Sequence, residues 1–573
     1  MPEPASNPQD VPAPAAEGKR ATGAYVALLI AMNWSRYAVM LGVSLVMTPM
    51  LIGAMGLDLC GLYLFFNLVR FALQDFIQPL LTRELSAAWA SGDGAARRRA
   101  FSSAFAASLA AAVVALVLTG VLTPFNGFLP RLPEGDADAV RLMILCEGLM
   151  LVVMLATAPW INLFLAAHRV VENNVHRTFE RLQDLVVALP VLWLAPEGSF
   201  VTWYVLGRLG VRAAHIAVCV GRAHVLESDA RVSRRDVDPA LVGHYSQAMG
   251  WSSSLPISNQ FYWYIDQVAL NAFFGPVFNG VYAIVNTLRG YMRILGGGLF
   301  MGAEAVTADL HERGAHETTR RLLMTAMRST AAITAFYGAV VCVFVAPLIT
   351  AWLGRKLETD AALREAGLSA ADAIGIVRHF VLILAPAVVV IEAGCSAITI
   401  LFGMGQLRRF APALIVMTVL KGVLTWAALA AFAGAWGRDA IALAAWVTSV
   451  TSVAMYGVYV PVLIKKATGL GIVDQYRGVY VGPLLSVLPV VALGEAMAVY
   501  LGPWTPGAAS LLKLAACGAV LGVVWLPIAA VLIPRGHERE RVLGLVGRLG
   551  RRVPGMGAFG GLLRRVWGLP SAP

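Results

Sequence analysis

Fourteen stretches of this chain each run close to the 20 or so mostly apolar residues that a bilayer crossing requires, so lipid is the solvent it must fold in. The first six lie near Tyr25 to Met50, Leu59 to Leu81, Phe101 to Leu122, Val140 to Ala166, Leu182 to Leu194 and Val201 to Val220. The next six lie near Tyr245 to Phe273, Val277 to Gly302, Leu322 to Leu353, Ile374 to Met404, Pro412 to Phe432 and Ala440 to Ile464. A last pair covers Val479 to Leu501 and Ser510 to Ile533. The fifth stretch is short and contains Pro190. Composition agrees with a polytopic membrane protein: 58% of the 573 residues are hydrophobic, 14% are charged and mean hydropathy is +0.70.

The net charge of +11 follows from topology rather than from a nucleic-acid surface. With the N-terminus cytoplasmic, roughly 30 of the 45 lysines and arginines fall in cytoplasmic segments, as the positive-inside rule requires. The outside segments hold Arg131, Arg141, Arg355, Lys356, Arg364, Arg378 and Arg438. Residues 1–22 form a Pro- and Ala-rich cytoplasmic tail expected to be disordered, and the apolar run after it is too long for a signal-peptide core.

One unit occurs twice. GLDLCGLYLFFNLVR carries Gly56, Gly61, Tyr63, Asn67 and Arg70; GPVFNGVYAIVNTLR carries Gly275, Gly280, Tyr282, Asn286 and Arg289. Every pair is separated by the same 219 positions, too long for a solenoid repeat. The organisation read from this is a first lobe over 23–222, a cytoplasmic linker over 223–242, a second lobe over 243–466 and a helix pair over 477–533. An even number of spans per unit makes these parallel repeats, which typically enclose a central cavity. A basic, amphipathic cytoplasmic tail over 534–573, with Val542, Leu545, Val546 and Leu549 between arginines, is expected to lie on the anionic leaflet. The longest outer loop, Gly354 to Ala373, has no room for a catalytic domain.

Charges inside the spans carry the functional signal, since each costs about 2.5–3.5 kcal/mol at a helix centre. Arg36, Arg70, Arg289 and Arg293 would together cost on the order of 10 kcal/mol facing lipid. Arg289 and Arg293 share one helix face, and Asp75 and Asp266 are the only carboxylates near the four by span and depth. A cavity of positive potential follows, suited to phosphate or pyrophosphate because a guanidinium donates two hydrogen bonds at once. The competing reading is that these arginines pair with carboxylates and helix-end carbonyls and merely join the lobes. Asn33, Asn67 and Asn286 extend the cavity with groups suited to a sugar. Arg70 and Arg289 are expected to face each other near mid-membrane, with Arg36 and Arg293 close by.

Glu392 and Lys421 are expected to pair within the second lobe, and Asp266 and Glu392 are candidates for coupling to protons or sodium. Glu147, Arg208 and Arg212, nearer span ends, read as snorkelling side chains. The six cysteines, with neither a CxxC pair nor a neighbouring histidine ligand, read as packing residues, and no metal site or organic cofactor is expected. No phosphate-binding GxxxxGK[ST] loop occurs, so the chain encodes no ATP site of that kind.

The chain resembles the polysaccharide-flippase branch of the MOP superfamily, which includes O-antigen flippases, lipid II flippases and, more distantly, multidrug MATE exporters. The likeness runs from about Asn33 to about Ile464 and rests on the two turn-helix copies, on LTRELSAAWASGD after the first, and on Leu163-Phe164 and Leu401-Phe402 before basic loops. It implies an all-α protein of two six-helix lobes, here with two further C-terminal helices, working by alternating access. It also implies a bacterial inner-membrane location with both termini cytoplasmic, an undecaprenyl-pyrophosphate-linked glycan as cargo, and polysaccharide assembly proteins as partners. In the lipid II branch, arginines of helices 1, 2 and 8 line the cavity, which maps by position onto Arg36, Arg70 and Arg289. A MATE-type drug antiporter would share the fold but should have a cavity dominated by acids.

Overall fold

The computed structural model describes residues 23–567 apart from 76–77, 126–130, 133–134, 168, 197, 298–302, 304–306, 308–309, 312, 536 and 551–555. The N-terminal tail, 1–22, therefore lies outside the described residues. Every regular element among the described residues is helical. In the first lobe these are α1 (Gly23–Asp75), α2 (Gln78–Ala90), α3 (Gly94–Leu122), α4 (Ala137–Ala156), α5 (Ala158–Ala166), α6 (Val170–Leu194) and α7 (Phe200–Leu226). The second lobe begins with α8 (Pro239–Phe274), α9 (Pro276–Gly297), α10 (His316–Thr359), α11 (Ala370–Gly403) and α12 (Leu407–Trp436). Its last span joins α13 (Ala442–Ser452) through a π-helical stretch, Val453–Tyr459, to α14 (Val460–Thr468). Then come α15 (Gly482–Tyr500) and α16 (Ala508–Leu532), followed by the tail helices α17 (His537–Gly550) and α18 (Met556–Val566).

The described residues of all fourteen sequence spans are predominantly helical. Nine stretches among the described residues are long and apolar enough to cross a membrane, and two of them, Ala38–Asn67 and Arg409–Thr468, each take in two of the spans. Among the helices of 18 residues or more, those that do not qualify are α6, α8 and α9. Their polarity marks where charge has been placed inside the protein: α6 carries Arg177, Glu180 and Asp184, α8 carries Asp266, and α9 carries Arg289 and Arg293.

The duplicated unit makes the same turn twice. α1 breaks at Gly56, φ 80°, and α8 gives way to α9 at Gly275, φ 98°, a backbone region that glycine enters without steric cost. Five residues further on, the matched glycines meet each other. A Cβ on Gly61 would come within 2.4 Å of the Gly280 backbone nitrogen, and one on Gly280 within 2.2 Å of the Leu57 carbonyl oxygen. Gln267 locks the crossing by donating from Nε2 to the carbonyls of both Gly61 (3.3 Å) and Asn279 (3.4 Å). Gly61→Val is expected to cost at least about 1–3 kcal/mol, because the obstructing atoms are backbone and cannot swing aside. A detergent-solubilised melt of that variant coinciding with the unaltered protein would show that the lobes do not rely on this contact.

Segments assigned to the outer side gather at one end. The Leu57 amide donates to Asp360 Oδ2 (2.9 Å), and Asn271 exchanges hydrogen bonds with the backbone of Arg131 (both 3.1 Å). Segments assigned to the cytoplasm are tied by ion pairs: Arg98 to Asp229 (3.1 Å), and Glu538 of the tail to Arg328 of α10 (2.6 Å). α15 and α16 pack on α10.

The C-terminal tail forms a helical hairpin. α17 and α18 fold against each other around Val546, Leu563 and Trp567, and Trp567 Nε1 donates to the Val531 carbonyl (3.0 Å). Val546 is thereby buried in the hairpin, and Glu538 holds it to the body through Arg328.

Candidate functional site

Each lobe encloses a buried charge cluster. In the first, Arg70 Nε donates to Glu147 Oε2 (2.6 Å), while its other nitrogens reach Gln74 (3.1 Å) and Asn67 (3.3 Å). The second oxygen of Glu147 receives Arg208, whose Nε pairs with Asp184 (2.7 Å). Glu180 binds Arg212 (2.8 Å), Arg177 (3.2 Å) and the Gln74 amide (3.1 Å). The repeat tyrosine Tyr63 closes the cluster, its hydroxyl 3.1 Å from that of Tyr204 and its ring beneath the Arg208 guanidinium. Asn67 Nδ2 donates to the same hydroxyl (2.9 Å).

In the second lobe the acid is Asp266, fully buried, paired with Lys421 (2.8 Å) and accepting from Tyr282 (2.8 Å), Thr425 (3.2 Å) and Thr448 (2.5 Å). Here the second repeat tyrosine plays the part of Tyr63. Lys421 also donates to the Tyr262 carbonyl and lies over that residue's ring.

Several sequence expectations are corrected by these clusters. Arg70 is engaged within its own lobe, by Glu147 of α4 and by Asn67 and Gln74 of its own helix. Acids beyond Asp75 and Asp266 serve the first-lobe arginines, because α4 and α6 bring Glu147, Asp184 and Glu180 to Arg70, Arg208 and Arg212. Glu147, Arg208 and Arg212 do not snorkel: they are 3%, 0% and 1% exposed. Lys421 pairs with Asp266 rather than Glu392, since α12 packs along α8.

The remaining arginines are placed differently. Arg289 lies with its guanidinium 3.6 Å from the Trp263 ring centroid, a cation–π contact, and is partly accessible. One turn on, Arg293 is exposed although Tyr291 and Met292 beside it are buried, so this face of α9 opens onto accessible space. Among the described residues no carboxylate forms an ion pair with either. Glu392, 4% exposed on α11, lies within electrostatic range of both, as does Tyr264, and Tyr456 lies within range of Arg293. Asn286, one turn before Arg289, is buried with its amide nitrogen unpartnered. Arg36 and Asn33 lie on α1, and their side chains fall outside the described residues, as does that of Asp75.

The site thus narrows to Arg289, Arg293, Asn286 and Glu392, with the rings of Trp263, Tyr264 and Tyr456 around them. Two guanidiniums facing accessible space beside one acid make a net positive surface that can take up an anion.

A feature missed in the sequence lies beside the first-lobe cluster. His176, His215 and Cys219 converge, and His215 stands four residues before Cys219 on one face of α7. The signal was present as a stripe: Arg208, Arg212, His215 and Cys219 follow i, i+4, i+7, i+11, and Asn173, His176, Arg177, Glu180 and Asp184 mark the facing side of α6.

No family model matches the chain, and no curated protein matches its sequence. Solved structures do. The lipid II flippase MurJ in an inward closed conformation superposes with TM-score 0.63 at 11% identity, covering 88% of this chain and 98% of that one. A multidrug resistance MATE family transporter of the MOP superfamily, inward-facing, gives 0.58 at 12% identity over 76% of this chain and 96% of its own. An outward-facing MATE structure gives 0.51 at 12% identity over 77% and 97%. This chain is therefore a multi-pass membrane protein with the fold of the MOP-superfamily transporters.

Proposed function

We propose that the protein is an alternating-access transporter that carries a polyprenyl-pyrophosphate-linked oligosaccharide or a related lipid-linked glycan precursor across the membrane. The observation that carries the reading is the contrast between its arginines. Arg70, Arg208 and Arg212 are neutralised by carboxylates of their own lobe, whereas Arg289 and Arg293 have no ion-paired acid among the described residues and face accessible space. A guanidinium seated over an indole can still offer N–H groups to phosphate oxygens, and the unpartnered Asn286 amide one turn away can donate to a sugar or phosphate.

The alternative is a MATE-type antiporter of small molecules. What favours it is Glu392, a buried acid with no ion pair among the described residues, which could exchange a proton. Asp266 is the poorer coupling group because Lys421 and three hydroxyls already satisfy it.

Binding of an undecaprenyl-pyrophosphate-linked oligosaccharide to the purified protein separates the two. Binding that weakens with added salt, and is lost in folded Arg289→Ala and Arg293→Ala, is the expected result. If the well-folded protein ignores the pyrophosphate lipid and takes up cationic drugs dependent on Glu392, the antiporter reading replaces this one.

A further inference from the structure

Between α6 and α7, three ligand-type atoms form a triangle. His176 Nδ1 lies 3.3 Å from His215 Nε2 and 3.2 Å from Cys219 Sγ, and Cys219 Sγ lies 3.5 Å from His215 Nε2. A tetrahedral ion with bonds of about 2.05 Å to nitrogen and about 2.3 Å to sulfur requires ligand separations of about 3.3 Å (N–N) and about 3.6 Å (N–S). The triangle already has those dimensions to within about 0.4 Å. Hydrogen bonding alone accounts for it poorly. A ring nitrogen either donates or accepts, so the three edges can be served only by splitting one proton between two acceptors.

We propose that His176, His215 and Cys219 form a binding site for a borderline-soft divalent transition ion, of which Zn2+ is the type, with a water as fourth ligand. A cavity of about 20 Å3, bordered by all three ligands and by Asn173 and Glu180, opens beside them, space for about one water molecule. A thiolate and two imidazoles select against Mg2+ and Ca2+, which require oxygen donors. The charges facing the site from both helices are mixed: Arg177 and Arg212 are held by Glu180, and Glu172 and Arg222 lie at the edge. The Cys219 thiol gives up its proton to solvent as the ion binds, and the resulting thiolate offsets part of the ion's charge. Two ligands come from α7 and one from α6, so the ion cross-links the same helices that the Asp184–Arg208 and Glu180–Arg212 pairs join. This site is independent of the anion reading, since it lies in the other lobe from Arg289.

The test uses chelator-treated, full-length protein in detergent, with Co2+ as spectroscopic probe and Zn2+ and Mg2+ as competitors. One Co2+ per chain should bind with thiolate-to-cobalt charge-transfer absorption; Zn2+ should displace it and raise the melting temperature, and Mg2+ should do neither. Cys219→Ser should lose the charge-transfer band. His176→Gln should weaken Co2+ binding beyond the 10–100-fold typical of losing an outer-shell partner. Should Cys219→Ser prove unstable, His176→Gln, at a half-buried position where Cys219 is buried, carries the same test provided its metal-free melt matches the parent. Absence of Co2+ binding by the folded parent overturns the proposal. So does a charge-transfer band that survives Cys219→Ser, because another cysteine would then be the ligand.

Discussion

Glu147→Ala is expected to cost about 3–5 kcal/mol, a large share of the stability of most folded proteins. Its two oxygens hold Arg70 and Arg208, side chains that are 2% and 0% exposed, so removing it leaves two guanidiniums without their shared counter-charge. Asp184 still reaches Arg208. Arg70→Ala should cost less, because Glu147 keeps Arg208. The double variant Glu147→Leu with Arg70→Leu should be more stable than the sum of the single changes, since each removes a charge the other would strand. Melting temperature in detergent and the amount of folded protein in membranes measure all three. A Glu147→Ala melt equal to that of the parent would mean that the first-lobe cluster is not structural.

Arg289→Ala is expected to abolish glycan export while leaving membrane levels near normal. The reasoning is the reverse of that for Arg70: here no ion pair is broken. What is lost is a cation–π contact worth about 0.5–2 kcal/mol, set against charge-assisted bonds to an anion worth about 1.5–3 kcal/mol each. Two such bonds correspond to at least a hundredfold in affinity. Arg289→Lys should restore only part of it, because an ammonium keeps the charge but lacks the fork. Complementation of an export-deficient strain, read beside immunoblots of membrane protein, gives the answer. Loss of the folded protein in Arg289→Ala would assign it the same structural part as Arg70.

The matched arginines show how far sequence reading reached. Their common place after Gly56 and Gly275 is legible because turn chemistry is local: a glycine is needed where φ is positive, and a helix must follow. Whether each arginine is neutralised is not local. It depends on which helices pack alongside: Glu147 lies 77 residues from Arg70 in the chain, and Glu180 lies 32 residues from Arg212. Two features hid those partners. The first half of α6, which carries His176, Arg177 and Glu180, reads as a charged loop, yet it is helix from Val170. Glu147 falls near a span end by hydropathy, yet α4 is set so that it is buried. The same long-range packing decides that Lys421 meets Asp266. By contrast, the fourteen spans and the two-lobe architecture follow from hydropathy and the repeat alone, which need no partner to be recognised.

The contact between Gly61 and Gly280 also sets a lever. Equivalent positions of the two units touch there, backbone to backbone, with no side chain interposed. Any rotation of one lobe against the other that preserves this contact displaces a residue in proportion to its distance from it. At 1.5 Å of rise per residue, Arg289 stands about 13 Å along α9 from Gly280, and Arg293 about 20 Å. A turn of about 10° would carry them about 2 Å and 3.5 Å, enough to make or break a hydrogen bond, while Gly280 itself stayed in place.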